Sequence, residues 1–131
     1  MPVIFADLAE SVTAVENFPE NVQMARRNLE NNAIKNVEII EQDVAEYLKR
    51  EDLEMEFSVL NPPRKGMHEQ ALRRILELKP GNLAYLSCSP RSLLEDLGIL
   101  FRDYRPIKVQ VYDMFPQTEH FETLVLLTRK A

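Results

Sequence analysis

Short β-branched runs alternate with segments of helical spacing along almost the whole chain, and this alternation limits the fold more than any other feature. We predict strands over 11–16, 37–40, 57–60 and 82–86, each followed by a helix. Strands separated by helices form right-handed βαβ units with a mostly parallel sheet. The last two predicted strands, 107–112 and 122–128, have no helix between them, which favours an antiparallel pair at one edge. The sequence therefore predicts an α/β fold.

Helix signals fall between these strands. Asn17 is the predicted N-cap of the first long helix, with Pro19 in its first turn. Further helices are predicted over 44–49 and 67–78, and another begins at Pro90, where leucines recur at helical spacing.

Composition excludes several classes of protein. With 131 residues, of which 45% are hydrophobic, we expect one domain over 1–131. One cysteine and two histidines exclude a disulfide framework and argue against a structural metal site. No apolar run is long enough to span a bilayer and the N-terminus has no basic signal region, so we expect a cytoplasmic protein without membrane partners. The net charge of −5 argues that most of any RNA affinity lies outside this chain.

Polar residues stand where the predicted strands end, and ligands of open α/β sheets gather at the carboxyl ends of strands. Glu16 ends the first strand, where a carboxylate can hold ribose hydroxyls or simply face solvent. Asp43 follows the second strand and is equally suited to cap the next helix. Taken singly, neither residue is specific.

Three later segments carry stronger signals. Asn61 opens an N-P-P-R turn whose prolines make a rigid rim. Cys88 lies between a strand and a helix N-terminus, where the helix dipole favours a reactive thiolate, although a lone cysteine is more often a small buried hydrophobe. His120 and Glu122 would share one face of the last strand, so that the carboxylate could act as a base.

Together these segments resemble the RNA 5-methyluridine methyltransferases. The stretches that carry the resemblance are V-T-A-V-E-N at 12–17, N-P-P-R-K-G at 61–66, Y-L-S-C-S-P at 85–90 and D-M-F-P-Q-T-E-H-F-E at 113–122. Their order and spacing agree with the family over almost the whole chain. The resemblance implies a class I, Rossmann-like fold that uses S-adenosylmethionine to methylate C5 of a uridine in transfer or ribosomal RNA.

The same resemblance implies a role for each candidate residue. Cys88 would add to C6 of uracil, and Glu122 would remove the C5 proton after methyl transfer. The remaining positions carry binding roles: Glu16 for the cofactor ribose, Asp43 for the adenine edge, Asn61 for the methionine moiety, and Arg64 and His120 for the substrate.

Three departures from the family pattern affect what we expect. Asn61 and Ser89 replace the family's aspartate and asparagine. The family's first strand and glycine-rich turn precede residue 12, yet the three glycines here are Gly66, Gly81 and Gly98. We therefore expect a truncated or fragmentary form that binds S-adenosylmethionine weakly and lacks the main RNA-binding elements.

Two other functions remain open from the residues. One is a non-catalytic remnant that acts as a binding or interaction module, and the other is methylation of a different nucleobase or a small molecule. Without the family's first strand, the strands at 12–15 and 57–60 would have open edges. We expect either that the β-prone segment 3–6 fills the gap or that the chain self-associates.

Overall fold

The computed structural model of the chain describes residues 2–114 and 116–131. Contacts between residues divide the chain into two compact units, residues 1–50 and residues 51–131. Within the described residues, no helix has the length and apolar character needed to cross a membrane.

The first unit consists of one parallel strand pair and its helices. Its elements are α1 (Pro2–Phe5), β1 (Val12–Glu16), α2 (Pro19–Asn31), β2 (Val37–Glu41) and α3 (Val44–Tyr47). β1 and β2 run parallel, from the pair Val12 and Val37 to the pair Glu16 and Glu41. Val22 and Leu29 of α2 pack with Ile39 of β2 to form the core of this unit. One face of an amphipathic helix thus covers the strand pair.

Two predictions for this unit are wrong in detail. The N-cap of α2 is Phe18 rather than Asn17, because the Glu16 carboxylate accepts the Phe18 N–H and the chain stays extended for one more residue. The segment 3–6 is not a strand, since Pro2–Phe5 is a helical turn. Its carbonyl groups accept local hydrogen bonds, including 3.0 Å from the Leu8 N–H to the Phe5 oxygen.

The second unit contains a mixed sheet and two helices. Its elements are β3 (Phe57–Leu60), α4 (Glu69–Leu78), β4 (Asn82–Ser87), α5 (Pro90–Leu100), β5 (Tyr104–Tyr112) and β6 (Glu122–Arg129). The strand order is β3-β4-β6-β5, with β3 and β4 parallel and the other pairs antiparallel. The predicted antiparallel edge pair is confirmed, and β6 lies between β4 and the edge strand β5.

The two central strands of this sheet, β4 and β6, bury one of their faces. Leu83 and Tyr85 of β4 stand beside Leu127 and Val125 of β6, and each of these side chains is at most 1% exposed. α5 packs on β4, and α4 packs on α5. Buried residues alternate along β6, as expected for a strand with one covered face, whereas β4 also buries Ala84.

Two element boundaries differ from the prediction because tertiary contacts set them. α4 begins at Glu69 rather than Met67, because the Met67 N–H is bound to the Asp96 carboxylate and Gly66 has a φ of 81°. β5 begins at Tyr104 rather than Ile107, because the buried Tyr104 hydroxyl donates to the Pro80 oxygen at 2.6 Å.

Candidate active site

The turn that carries Cys88 is fixed by its two flanking serines. β4 ends at Ser87, and Ser89 is the N-cap of α5. The Ser87 hydroxyl accepts the Ser89 N–H at 3.0 Å and donates to the Ser89 oxygen at 2.9 Å. Cys88 between them is a half-buried free thiol. The nucleophile candidate therefore has a defined position and partial access to solvent.

Cys88 opens into a pocket of about 240 Å³ within the second unit. The pocket is lined by Arg64, Cys88, Thr118, His120, Phe121 and Glu122. Four residues of this lining were predicted as site residues from the sequence, and they come from three separate segments of the chain. They are Arg64, Cys88, His120 and Glu122. The fold thus brings a thiol, a carboxylate, a guanidinium and an imidazole to one place.

Arg64 and His120 form the clearest polar contact in this pocket. Nη2 of Arg64 lies 2.8 Å from Nδ1 and 3.5 Å from Nε2 of His120. A guanidinium only donates hydrogen bonds, so the imidazole ring is the acceptor in this contact. The His120 N–H donates to the Thr118 hydroxyl at 3.2 Å, which steadies the loop.

Sequence reasoning missed Thr118 and Phe121, which also line the pocket. Strand alternation would place Phe121 on the face opposite to His120 and Glu122. β6 begins only at Glu122, however, so the residues before it do not alternate. No sequence signal identified Thr118.

Asn61 is not among the residues that line this pocket. It follows the last residue of β3 and is exposed. Its predicted cofactor role therefore stays a prediction.

Glu16 and Asp43 meet at one edge of the first unit. Glu16 ends β1 and Asp43 follows the neighbouring parallel strand β2, and the Gln42 N–H donates to the Glu16 backbone oxygen at 3.1 Å. Glu16 accepts the Phe18 N–H and the Asn21 amide at 2.9 and 3.2 Å. Asp43 caps α3 by accepting two backbone N–H groups through Oδ1, the nearer at 2.8 Å. The capping role predicted for Asp43 is thus confirmed.

Almost the whole chain matches a known protein family. Residues 2–130 match the family described as tRNA (uracil-5-)-methyltransferase. The chain belongs to this family. It is 37% identical to an RNA methyltransferase of Mycoplasma mobile over 97% of its own length and 35% of that protein. It is 39% identical to an RNA methyltransferase of Prochlorococcus marinus over 98% of its own length and 31% of that protein.

Solved structures agree with this family assignment and with the predicted fold class. The tRNA (uracil-54, C5)-methyltransferase of Pyrococcus abyssi, crystallised with S-adenosyl-L-homocysteine, superposes with a TM-score of 0.84 at 28% identity. The match covers 96% of this chain and 31% of that one. An rRNA methylase of Streptococcus thermophilus superposes with a TM-score of 0.69 at 16% identity, over 97% of this chain and 78% of that one. The class I methyltransferase fold is confirmed.

Proposed function

We propose that this chain supplies the catalytic part of a cytoplasmic, S-adenosylmethionine-dependent enzyme that methylates C5 of a uridine in transfer or ribosomal RNA. The observation that carries the proposal is the pocket in which Cys88 and Glu122 stand together with Arg64 and His120. The similarity to the Pyrococcus abyssi enzyme supports the choice of base and position. The chain spans about a third of the length of the relatives above, so the whole protein's substrate is part of the proposal.

The residues of the pocket can activate C5 of uracil for methylation. C5 of uracil is too weak a nucleophile to attack a sulfonium methyl group. Addition of the Cys88 thiolate to C6 forms a C–S bond and moves an electron pair towards C5. After the methyl group is bound at C5, the Glu122 carboxylate accepts the C5 proton, the C–S bond breaks and the thiolate is restored.

Three further side chains at the pocket support binding of the base. Arg64 and His120 are hydrogen-bonded to each other and present donors at the pocket wall. Phe121 adds an aromatic surface on which an unstacked base can lie. We assign these residues to substrate binding.

The cofactor is assigned to residues at the strand ends. S-adenosylmethionine supplies the electrophilic methyl group when it is bound. Two carboxylates at the strand ends of the first unit fit its nucleoside part, since Glu16 can accept ribose hydroxyls and Asp43 the adenine amino group. Both hydrogen bonds to Asp43 go to Oδ1, so Oδ2 retains accepting capacity. We assign Asn61 to the methionine moiety.

One set of variants tests this proposal with S-adenosylmethionine labelled in the methyl group and uridine-containing tRNA and rRNA. The chain should label uridine, and Cys88→Ser should abolish labelling. Glu122→Gln should accumulate a denaturation-resistant protein–RNA species, because the C5 proton stays on the adduct. Glu119→Gln, an exposed carboxamide variant in the same loop, should behave like the parent chain.

The opposite outcome favours the non-catalytic module. The Asn61 substitution for the family's aspartate supports that alternative, because it removes a charge from the turn. If neither the parent chain nor Glu122→Gln labels or captures either RNA, the proposed activity is wrong for this chain.

A further inference from the structure

A buried carboxylate on α5 has no part in the chemistry described above. Asp96 is 6% exposed, and it accepts hydrogen bonds from the Tyr85 hydroxyl and, at 2.9 Å, from the Met67 N–H. A buried carboxylate is costly unless such donors satisfy it. Asp96 therefore ties α5 both to β4 and to the chain segment that follows Gly66.

Ser92 makes a second tie one helical turn earlier. Its buried hydroxyl donates to the Arg64 oxygen at 2.8 Å. Residues four positions apart lie on the same face of a helix, so Ser92 and Asp96 both bind the chain segment 64–67. A Cβ atom on Gly66 would lie 2.8 Å from Oδ2 of Asp96, which shows how closely the carboxylate fits against that turn.

The segment 64–67 includes Arg64, whose guanidinium contacts His120 in the pocket. The same helix begins immediately after Cys88, with Ser89 as its N-cap. α5 thus follows directly on the Cys88 turn, and its first and second turns hold the backbone of Arg64 and Met67 through Ser92 and Asp96.

We propose that Ser92 and Asp96 are positioning residues that fix the 64–67 turn on α5 and so direct the Arg64 guanidinium to His120. Neither residue lines the pocket, so both act through Arg64. The catalytic consequence rests on the proposed function, but the structural one does not.

The structural consequence is tested by NMR on the full chain with ¹³C,¹⁵N-labelled histidine. Arg64→Ala sets the reference, since it removes the guanidinium from the His120 ring. Ser92→Ala and Asp96→Asn should move the His120 ring signals in the same direction and by a comparable amount. Ser92→Thr, which keeps the hydroxyl, should leave them at the parental position. Glu95→Gln is the matched control, because Glu95 is an exposed acid on α5 that pairs with Arg91.

The outcomes separate positioning from packing and from the proposed function. If Ser92→Ala leaves the His120 signals unchanged, or if Ser92→Thr shifts them as strongly as Ser92→Ala, the positioning role is overturned. If Asp96→Asn fails to fold, the two Ser92 variants still show whether α5 positions Arg64. In the methylation assay, the positioning variants should lower kcat and raise KM for RNA, with Ser92→Thr restoring both. Shifted signals in a chain without methylation would uphold positioning while refuting the proposed function.

Discussion

Tyr85 is the side chain whose ionisation the fold opposes most strongly. It is fully buried on β4, and its hydroxyl donates to the Asp96 carboxylate. Burial, followed by the hydrogen bond to Asp96 and the charge of that carboxylate, raises the pKa of Tyr85 well above its ordinary value of 10.0. The neutral phenol is thus part of what holds α5 against the sheet.

The raised pKa predicts how stability depends on pH. Above about pH 10 an unfolded tyrosine loses its proton while folded Tyr85 keeps it, so stability falls by about 1.4 kcal/mol per pH unit. Tyr85→Phe should be less stable at neutral pH, because Asp96 loses a donor, but its decline above pH 10 should be shallower by about that slope. Urea unfolding at a series of pH values measures both; parallel declines would show that Tyr85 is not held neutral.

Side chains with distinctive chemistry could be predicted from the sequence, and side chains defined by local loop shape could not. Cys88, Glu122, Arg64 and His120 all lie in the pocket because their motifs fix their place at strand ends and turns. Phe121 could not be predicted as a pocket residue, because the chain before Glu122 does not follow strand alternation.

At the scale of elements, α5 organises the second unit. It follows the Cys88 turn, packs on β4 and holds the 64–67 turn through two side chains. Gly66 lies in that turn and Gly98 lies inside α5, so the two glycines are a useful pair for experiment.

Gly66→Ala and Gly98→Ala should change stability in opposite directions. At Gly66 the backbone has a φ of 81° and an added methyl group would meet Asp96, so we expect a loss of about 1–3 kcal/mol. At Gly98, inside α5, nothing lies within 4 Å of an added Cβ, so alanine should add about 0.5–1 kcal/mol through helix propensity. Chemical denaturation of both variants measures these differences; an unchanged Gly66→Ala protein would contradict the close contact.

Most elements could be predicted from hydrophobic periodicity, whereas their ends depended on contacts distant in sequence. β3 was predicted with its observed bounds, because two prolines shortly after it end the strand. The start of α4 could not be predicted, since it depends on a carboxylate 29 residues away from Met67.

At the scale of the whole molecule, the chain covers about a third of the relatives it matches. We propose that the main RNA-binding elements of such proteins lie outside this chain, in agreement with its net charge of −5. RNA binding by the chain should accordingly be weak and confined to the pocket and its surroundings.

Self-association through the open edges of β1 and β3 remains a prediction. Each of these strands lies at one edge of its own sheet, and such edges pair readily with a second copy. We predict a dimer or larger species in light scattering after size exclusion. Phe57→Lys, at an exposed position of β3, should shift it towards monomer, and Leu94→Lys, at an exposed apolar position on α5, should not. A monomeric parent chain would refute the prediction.

We propose that Cys88 attacks C6 of a uracil during methyl transfer, and RNA that contains 5-fluorouridine tests this attack most directly. Fluorine at C5 leaves no proton for Glu122 to remove, so the C–S bond persists after methylation. With S-adenosylmethionine present, we predict a denaturation-resistant protein–RNA species that peptide mass spectrometry maps to Cys88. Glu122→Gln should still form this species, and Cys88→Ser should not. Failure of the parent chain to form it, or its persistence in Cys88→Ser, would contradict the account.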